Sequence, residues 1–468
     1  MAKRPNPATQ AVPKKALPKK TLSAANLEAL GAGPLSVILM EAADGDGNLK
    51  RRLRMELAAN VGAPDLAFEI DKRLATLAAS RVRVSWRKRP DLIADLQSLR
   101  RMIVQRLGLA DARLALDRLV AWFDLYPGLT SRVKDPKGEL ALMFDAASAD
   151  LAELATVAGV EAAAPVLGEA LQTRLSEWGA WVGRGAPKLG KALAVRLLAD
   201  LTQGRPRPSG RMALVVRKLA DRAGDLDAWI AALPDDDQRK PEIGAEIARR
   251  LAEAGRAAQA RTMLEGSRPP AQQANRFGRA REAAPVPPPE SWLTAEIAVL
   301  EAEGRSDDAL AARWTMFERT LAEAPLRAIL AGLPDFEDVV ALDRALAHAA
   351  GYPDATRGLA FLMAWPAHRE AAEMVMARAP ELRGSADDVP LWAARLEGRY
   401  PAAALSLLRS RALALTRLGG AATEVEALVA EAAALAEVSE AADHVGAHAE
   451  FLTDLQAASL PGRRGWRG

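Results

Sequence analysis

The chain has 468 residues, of which half are apolar and only 4% are aromatic, and its formal net charge is +3. The absence of cysteine excludes disulfides, thiolate nucleophiles and zinc sites with cysteine ligands. No apolar run approaches the roughly 20 residues that cross a bilayer, and the first residues lack the apolar core of a secretory signal, so we expect a cytoplasmic protein without membrane contact.

The chain begins with a segment that predicts disorder. Residues 1–21 carry six Lys or Arg residues, four prolines and no acid, so they cannot bury enough apolar surface to order themselves. Residues 22–203 predict an N-terminal helical region. Ser23 is placed to cap its first helix, and Leu66, Ile70, Leu74 and Leu77 form one apolar helical stripe further along.

The densest basic stretch lies between two of these helices, and the charge of the chain is uneven around it. Residues 1–106 carry 20 Lys or Arg and 10 Asp or Glu, whereas the remaining residues carry 43 and 50. Phosphates could pair with the cations of this stretch while a base stacks on its tryptophan. The candidate anion or nucleic-acid contacts are Arg81, Arg83, Trp86, Arg87, Lys88 and Arg89.

A second interpretation of the same stretch needs no ligand. Trp86 would be buried against the helix that carries the Leu66 to Leu77 stripe, while the cations face water as an ordinary solvated surface. No pattern of a known nucleic-acid-binding module is present to decide between the two.

A helix–turn–helix phrase recurs in residues 211–455. An apolar helix ends at Gly, an Arg follows, and Ala stands five positions after the Gly. A looser fourth copy at Gly351 makes the period 47 to 49 residues, which is typical of stacked helical hairpins. The structural turn residues are Gly255 and Arg256, Gly304 and Arg305, and Gly398 and Arg399, with Ala260, Ala309 and Ala403 packing behind them.

This phrase resembles the turn of the tetratricopeptide helix pair, in which Gly-Arg or Gly-Lys is followed by Ala five residues after the Gly. The period departs from that family, whose unit is nearer 34 residues. We therefore predict an all-α fold, an irregular α-solenoid of tetratricopeptide-like hairpins that follows the N-terminal helical region. A Pro- and Arg-rich loop at 266–290 interrupts the repeats, and residues 456–468 form a basic tail.

The whole chain also resembles an uncharacterised all-helical bacterial family, a domain of unknown function. That family is similar to the helical part of SWIM-type zinc-finger proteins, whose zinc module cannot form here without cysteine. The resemblance implies no activity, and residues 130–139 and 204–210 depart from its pattern. The segments that carry it include Asn26–Gly31, Lys50–Leu57, Ile70–Leu74, Ala295–Leu300, Leu333–Phe336 and Phe361–Pro366.

Other candidate chemistry is weak. His444 and His448 have the spacing of two metal ligands on one helix, but Gly446 lies between them and no HExxH pattern exists. We interpret Asp235 to Asp237 as a turn and Asp335 as a helix cap. No phosphate-binding loop, dinucleotide fingerprint or nucleophile elbow is present, so we predict no catalytic, cofactor or metal site and no enzyme.

The leading functional hypothesis is a protein-interaction scaffold that binds unknown protein partners on the concave face of residues 211–455. The repeat pattern motivates it, because stacked hairpins build extended binding surfaces. The alternative is nucleic-acid binding through the basic N-terminal region. An enzyme stays open only if carboxylates or histidines converge in a groove.

Overall fold

The structure is a computed structural model that describes residues 21–269, 287–382, 384–385, 387–438 and 440–459. Two compact units divide the chain, Met1–Pro234 and Asp235–Gly468. Residues 1–20 of the predicted disordered arm, most of the predicted 266–290 loop and residues 460–468 of the predicted tail lie outside the described residues, while residues 456–459 of that tail are helical. The described part contains no strand, only an isolated bridge between Val84 and Val133, so the all-α prediction is confirmed.

The first unit is built from short helices, with a π-helical stretch at Met102–Leu107 and a 3₁₀ turn at Ala186–Lys188. Its α-helices are α1 (Ala24–Glu28), α2 (Ala32–Gly45), α3 (Gly47–Val61), α4 (Ala63–Ala79), α5 (Arg89–Arg101), α6 (Gly108–Ala110), α7 (Ala112–Phe123), α8 (Tyr126–Thr130), α9 (Glu139–Ala158), α10 (Val160–Thr173), α11 (Leu175–Gly185), α12 (Lys191–Thr202), α13 (Gly210–Ala223) and α14 (Leu226–Ala231).

Local sequence explains several of these boundaries. The Ser23 hydroxyl accepts the Asn26 N–H (3.3 Å) and caps α1 as predicted. Asp46 ends α2 and caps α3 through its carboxylate, which accepts the Asn48 N–H at 2.8 Å. The predicted apolar stripe of α4 is buried. These are short-range effects, since each cap satisfies backbone N–H groups that the helix itself leaves free.

An aromatic cluster forms the core of the first unit. Trp122 and Phe144 stack with ring centroids 4.2 Å apart, and Phe123 packs against Trp178 and Trp181. The indole N–H of Trp178 donates to Asp124 (2.9 Å), so this buried polar group is satisfied. All three tryptophans of the cluster are buried.

The second unit continues as a succession of helices, with a 3₁₀ turn at Ala379–Glu381. Its α-helices are α15 (Asp235–Gln238), α16 (Pro241–Glu253), α17 (Ala257–Gly266), α18 (Glu290–Ala302), α19 (Ser306–Thr320), α20 (Glu323–Ala331), α21 (Glu337–Ala350), α22 (Ala355–Ala364), α23 (His368–Arg378), α24 (Asp388–Glu397), α25 (Pro401–Leu418), α26 (Ala422–Val438), α27 (Ala441–Val445) and α28 (His448–Ser459).

Neighbouring helices of the second unit pack against one another in chain order, for example α16 with α17, α18 with α19, and α24 with α25. Helix α23 also packs against α21 and α25, so these three lie side by side. The finer expectation of a solenoid of tetratricopeptide-like hairpins stays a prediction.

Two copies of the recurrent phrase form the same turn. Gly255 and Gly304 have φ of +75° and +74°, a left-handed conformation that glycine adopts without strain. In both, the N–H of the following arginine reaches back five residues to a helix carbonyl, which is the longer bond of a Schellman motif. These bonds are Arg256 to Leu251 (2.8 Å) and Arg305 to Leu300 (2.9 Å).

The third copy is different. Gly398 has φ of −66° and stays helical, and the N–H of Tyr400 closes the turn on the carbonyl of Leu396 at 2.7 Å. The next helix begins at Pro401, three residues after this glycine instead of two. The alanines behind all three turns are buried: Ala260, Ala309 and Ala403.

Two expectations about acidic residues are wrong. Asp235 to Asp237 lie in the short helix α15 and do not form an open turn. Asp335 does not cap α21, because Phe336 occupies the N-cap position with φ of +76° and no side chain caps the helix.

Candidate nucleic-acid interface

Two loops of the first unit, distant in sequence, meet at one surface. The loop between α4 and α5 contains Val84, and the loop between α8 and α9 contains Val133. The Val84 N–H donates to the carbonyl of Arg132 (3.0 Å), and Val84 and Val133 form a parallel bridge. The basic stretch noted in the sequence is therefore held against a second loop.

The side chain of Arg132 reinforces this pairing. Its guanidinium donates to the carbonyl of Leu77 (3.0 Å), the hydroxyl of Ser80 (3.1 Å) and the carbonyl of Val82 (3.5 Å). Leu77 lies near the end of α4 and Val82 lies in the loop that follows. One cation thus satisfies the acceptors at the end of α4 and ties the two loops together.

Five of the six predicted contact residues lie on the surface. Arg81, Arg83, Arg87 and Lys88 are exposed and make no ion pair within the described residues. Trp86 is 71% exposed, so the interpretation that buried it against α4 is wrong. Its ring lies under the Arg87 guanidinium at 5.1 Å, a cation–π distance.

Arg89 does not join this surface. It forms an ion pair with Glu139 (3.1 Å), donates to the carbonyl of Lys134 (3.1 Å), and leaves only 14% of its side chain exposed. Glu139 already compensates the charge of Arg89. Arg89 therefore stabilises the packing of the two loops.

Sequence reasoning missed Lys134 and Lys137, which the second loop contributes. Both are exposed, and neither forms an ion pair among the residues that the structure describes. Nothing in the sequence singled them out, since two lysines near a turn are common on protein surfaces. We call Arg81, Arg83, Trp86, Arg87, Lys88, Lys134 and Lys137 the paired-loop surface.

The carboxylate of the second loop has partners at the start of α9. The carboxylate of Asp135 accepts the N–H groups of Glu139 (3.0 Å) and Leu140 (2.7 Å) at the start of α9. Burial lowers the pKa of the Arg132 guanidinium, and the nearby charges of Arg81 and Arg73 lower it further. Arg132 therefore lies close to two like charges, those of Arg81 and Arg73.

A second surface lies on the second unit, where α23 runs between two clefts. One cleft of about 700 Å³ separates α23 from the start of α25, and the other, about 490 Å³, separates α23 from α21. Arg369, Glu373 and Ala377 line both clefts, and Met376 and Arg399 line the larger one. We call these two adjoining clefts the α23 groove.

The histidine pair does not form a metal site. His444 lies in α27 and His448 begins α28, and the backbone breaks between them at Gly446, which has φ of +90°. Within the described ranges, no three His, Cys, Asp or Glu side chains converge to hold a metal ion. No helix in those ranges is both long and apolar enough to cross a membrane.

Comparison with known proteins identifies a family but no activity. The sequence profile of a family of unknown function, DUF6880, matches residues 17–192 and 169–459. No curated protein and no solved structure matches the chain.

Proposed function

The chain belongs to the DUF6880 family of unknown function, and we propose that it binds nucleic acid through the paired-loop surface. The observation that carries the proposal is the joining of two loops that together carry six exposed cations and an exposed tryptophan. The cations are Arg81, Arg83, Arg87, Lys88, Lys134 and Lys137.

The chemistry of the cations favours a polyanion. They are exposed and make no ion pair within the described residues, and two neighbouring acids have partners within the protein, Asp135 as a helix cap and Glu139 as the partner of Arg89. Each phosphate that such a cation neutralises releases counterions into solution. If all six cations contact phosphates of a single strand, a plot of the logarithm of the binding constant against the logarithm of the salt concentration has a slope of about −4.

Titration of the purified protein with labelled mixed-sequence oligonucleotides across a salt series tests the proposal. Charge reversal by Arg83→Glu, Arg87→Glu and Lys88→Glu together leaves three cations, so we expect the slope to flatten to about −2. Arg417→Glu, at an exposed position in the second unit, is the matched control and leaves the slope unchanged. Binding that is absent at low salt, or equally affected by the control, contradicts the proposal.

The α23 groove favours a second function, that of a non-enzymatic scaffold that binds a protein partner. Helix α23 presents Arg369, Glu373, Met376 and Ala377 along one face, and this face borders open clefts on both sides. Met376 is 45% exposed despite its apolar side chain. An apolar floor with charged residues at its edges is typical of surfaces that bind a peptide or helix.

A photo-crosslinking amino acid that replaces Met376 in the protein made in living cells tests the scaffold function. We expect it to capture the same protein reproducibly, and Glu373→Arg in the same chain to abolish the capture. The crosslinker at Leu214, an exposed apolar position of the first unit (54%, against 45% for Met376), is the control. Capture from both positions, or from neither, contradicts a specific groove.

A further inference from the structure

We propose that Trp86 and Arg87 form a stacking platform for one unpaired base, which makes the paired-loop surface selective for single-stranded nucleic acid. This inference rests on the proposed function and adds the class of nucleic acid. The backbone turn determines where these two adjacent side chains lie.

Trp86 and Arg87 occupy the two central positions of a turn. The Lys88 N–H donates to the carbonyl of Ser85 (3.0 Å), which closes the turn, and the Arg89 N–H donates to the same carbonyl at 3.1 Å as α5 begins. Both side chains are exposed at this turn, and Trp86 is 71% exposed. The turn therefore presents the indole and the guanidinium outward together.

The Trp86–Arg87 contact leaves room for a third layer. The guanidinium lies 5.1 Å from the centre of the indole and covers one side of the ring, while Trp86 as a whole stays 71% exposed. A planar base can stack on the open side, giving an order of base, indole and guanidinium. Arg87 is then a positioning residue, because it holds the ring in place by stacking on it.

Selectivity follows from what each group can reach. The cations bind the phosphates of a single strand or of a duplex, so they do not distinguish the two. The faces of bases in a duplex are covered by neighbouring base pairs, whereas an unpaired base offers its face to an aromatic side chain. Trp86 is therefore the group that favours the single strand, and stacking of one base raises affinity about 5-fold to 150-fold.

An anionic lipid surface would also attract a tryptophan with neighbouring cations. Stable interfacial binding needs an extended apolar face, and the exposed large apolar side chains of this loop are Val82 and Trp86. The observations therefore favour nucleic acid, and lipid binding becomes an outcome of the test.

The experiment measures the affinity of the full chain for a labelled single-stranded oligonucleotide and for the corresponding blunt duplex, each across a salt series. Trp86→Ala should weaken single-strand binding about 5-fold to 150-fold and leave duplex binding and both salt slopes unchanged. Arg87→Lys, which keeps the charge but loses the planar group, should weaken single-strand binding with the slope preserved. Arg417→Lys, at an exposed position outside the paired-loop surface, is the control and should change neither affinity.

Three outcomes overturn the inference. Trp86→Ala has no effect on single-strand binding, or it weakens single strand and duplex equally, or vesicles of phosphatidylserine bind the protein in a Trp86-dependent way and compete with the oligonucleotide. The first two leave salt-dependent binding in place, so the proposed function survives them. Absence of salt-dependent binding to either nucleic acid is the separate failure of the proposed function, and it removes the inference as well. An unchanged thermal unfolding midpoint of each variant shows that the fold is intact.

Discussion

The N–H of Val84 donates to the carbonyl of Arg132 across 3.0 Å, although the two residues lie 48 positions apart in the sequence. This bond joins a loop with four exposed cations to a loop with two. A polyanion that spans both loops meets six cations instead of four, and its affinity grows with the number of phosphates neutralised. The pairing of the loops is therefore the structural basis of the paired-loop surface.

Arg132→Ala should separate the two loops. The variant loses the guanidinium that donates to Leu77, Ser80 and Val82, and its free energy of unfolding should fall by about 1–3 kcal/mol because these acceptors lose a charged donor. Amide hydrogen exchange at Val84 should accelerate, since its hydrogen bond depends on the position of the second loop. Arg132→Lys keeps the charge but cannot reach three acceptors, so it should give an intermediate exchange rate. Unchanged protection of Val84 in Arg132→Ala contradicts this account.

The three turn glycines should respond differently to alanine. Gly255→Ala and Gly304→Ala place a side chain at positive φ and should each lower the free energy of unfolding by about 1 kcal/mol. Gly398→Ala places it at a helical φ of −66° with no atom within 4 Å of the new carbon, so stability should rise by about 0.4–1 kcal/mol. Urea denaturation of the three variants measures the difference. The same loss at all three positions would show that the third turn also needs a left-handed glycine.

The Arg261–Glu303 pair should make the free energy of unfolding depend on pH in the acidic range. The guanidinium of Arg261 donates to both carboxylate oxygens, at 2.9 and 2.6 Å, and this bonding holds the pKa of Glu303 below its ordinary value of 4.5. A lowered folded-state pKa gives stability that is present above pH 4.5 and is lost as pH falls through the folded-state pKa. Because water screens the pair, we expect only about 0.5–1 kcal/mol.

Glu303→Gln measures that contribution. Near pH 7 the variant should unfold at lower urea concentration than the natural chain, and the two curves should converge as the pH falls through the lowered folded-state pKa, because the natural carboxyl is then protonated too. Glu426→Gln, on an exposed carboxylate of α26 without an ion pair in the described residues, is the control and should show no such convergence. If Glu303→Gln lowers the free energy of unfolding by the same amount at every pH, the loss comes from the shape of the side chain and not from its charge.

Asp95 should contribute strongly to the folding stability of the first unit. Its carboxylate is 5% exposed and accepts from Arg51 (3.1 Å) and Arg73 (2.9 Å), which lie on α3 and α4. Asp95→Asn leaves two partly buried cations without a counter-charge, so we expect a loss of roughly 3 kcal/mol. Asp71→Asn removes the partner of Arg118 at a more exposed site and should cost at most about 1 kcal/mol. Equal losses of stability for Asp95→Asn and Asp71→Asn in thermal or urea unfolding would contradict an effect of burial.

Short-range chemistry made much of the fold predictable. The Ser23 cap, the break at Asp46, the apolar stripe of α4 and the left-handed glycines at 255 and 304 depend on residues a few positions apart. Sequence alone therefore determined an all-helical chain with turns at defined places. The same reasoning did not predict the conformation of the third turn, in which Gly398 keeps a right-handed φ of −66° and Pro401 restricts Tyr400 before it.

The candidate site depended on contacts that no short-range pattern records. The sequence placed Arg81 to Arg89 in one basic stretch, but it could not show that Arg89 turns inward to Glu139, that Trp86 stays exposed, or that Lys134 and Lys137 arrive from another loop. Those outcomes follow from how α4, α5 and α9 pack, because the packing decides which cations meet a carboxylate and which meet water. Composition determined that the chain is basic at this end, and tertiary structure decided which of its charges remain free to bind.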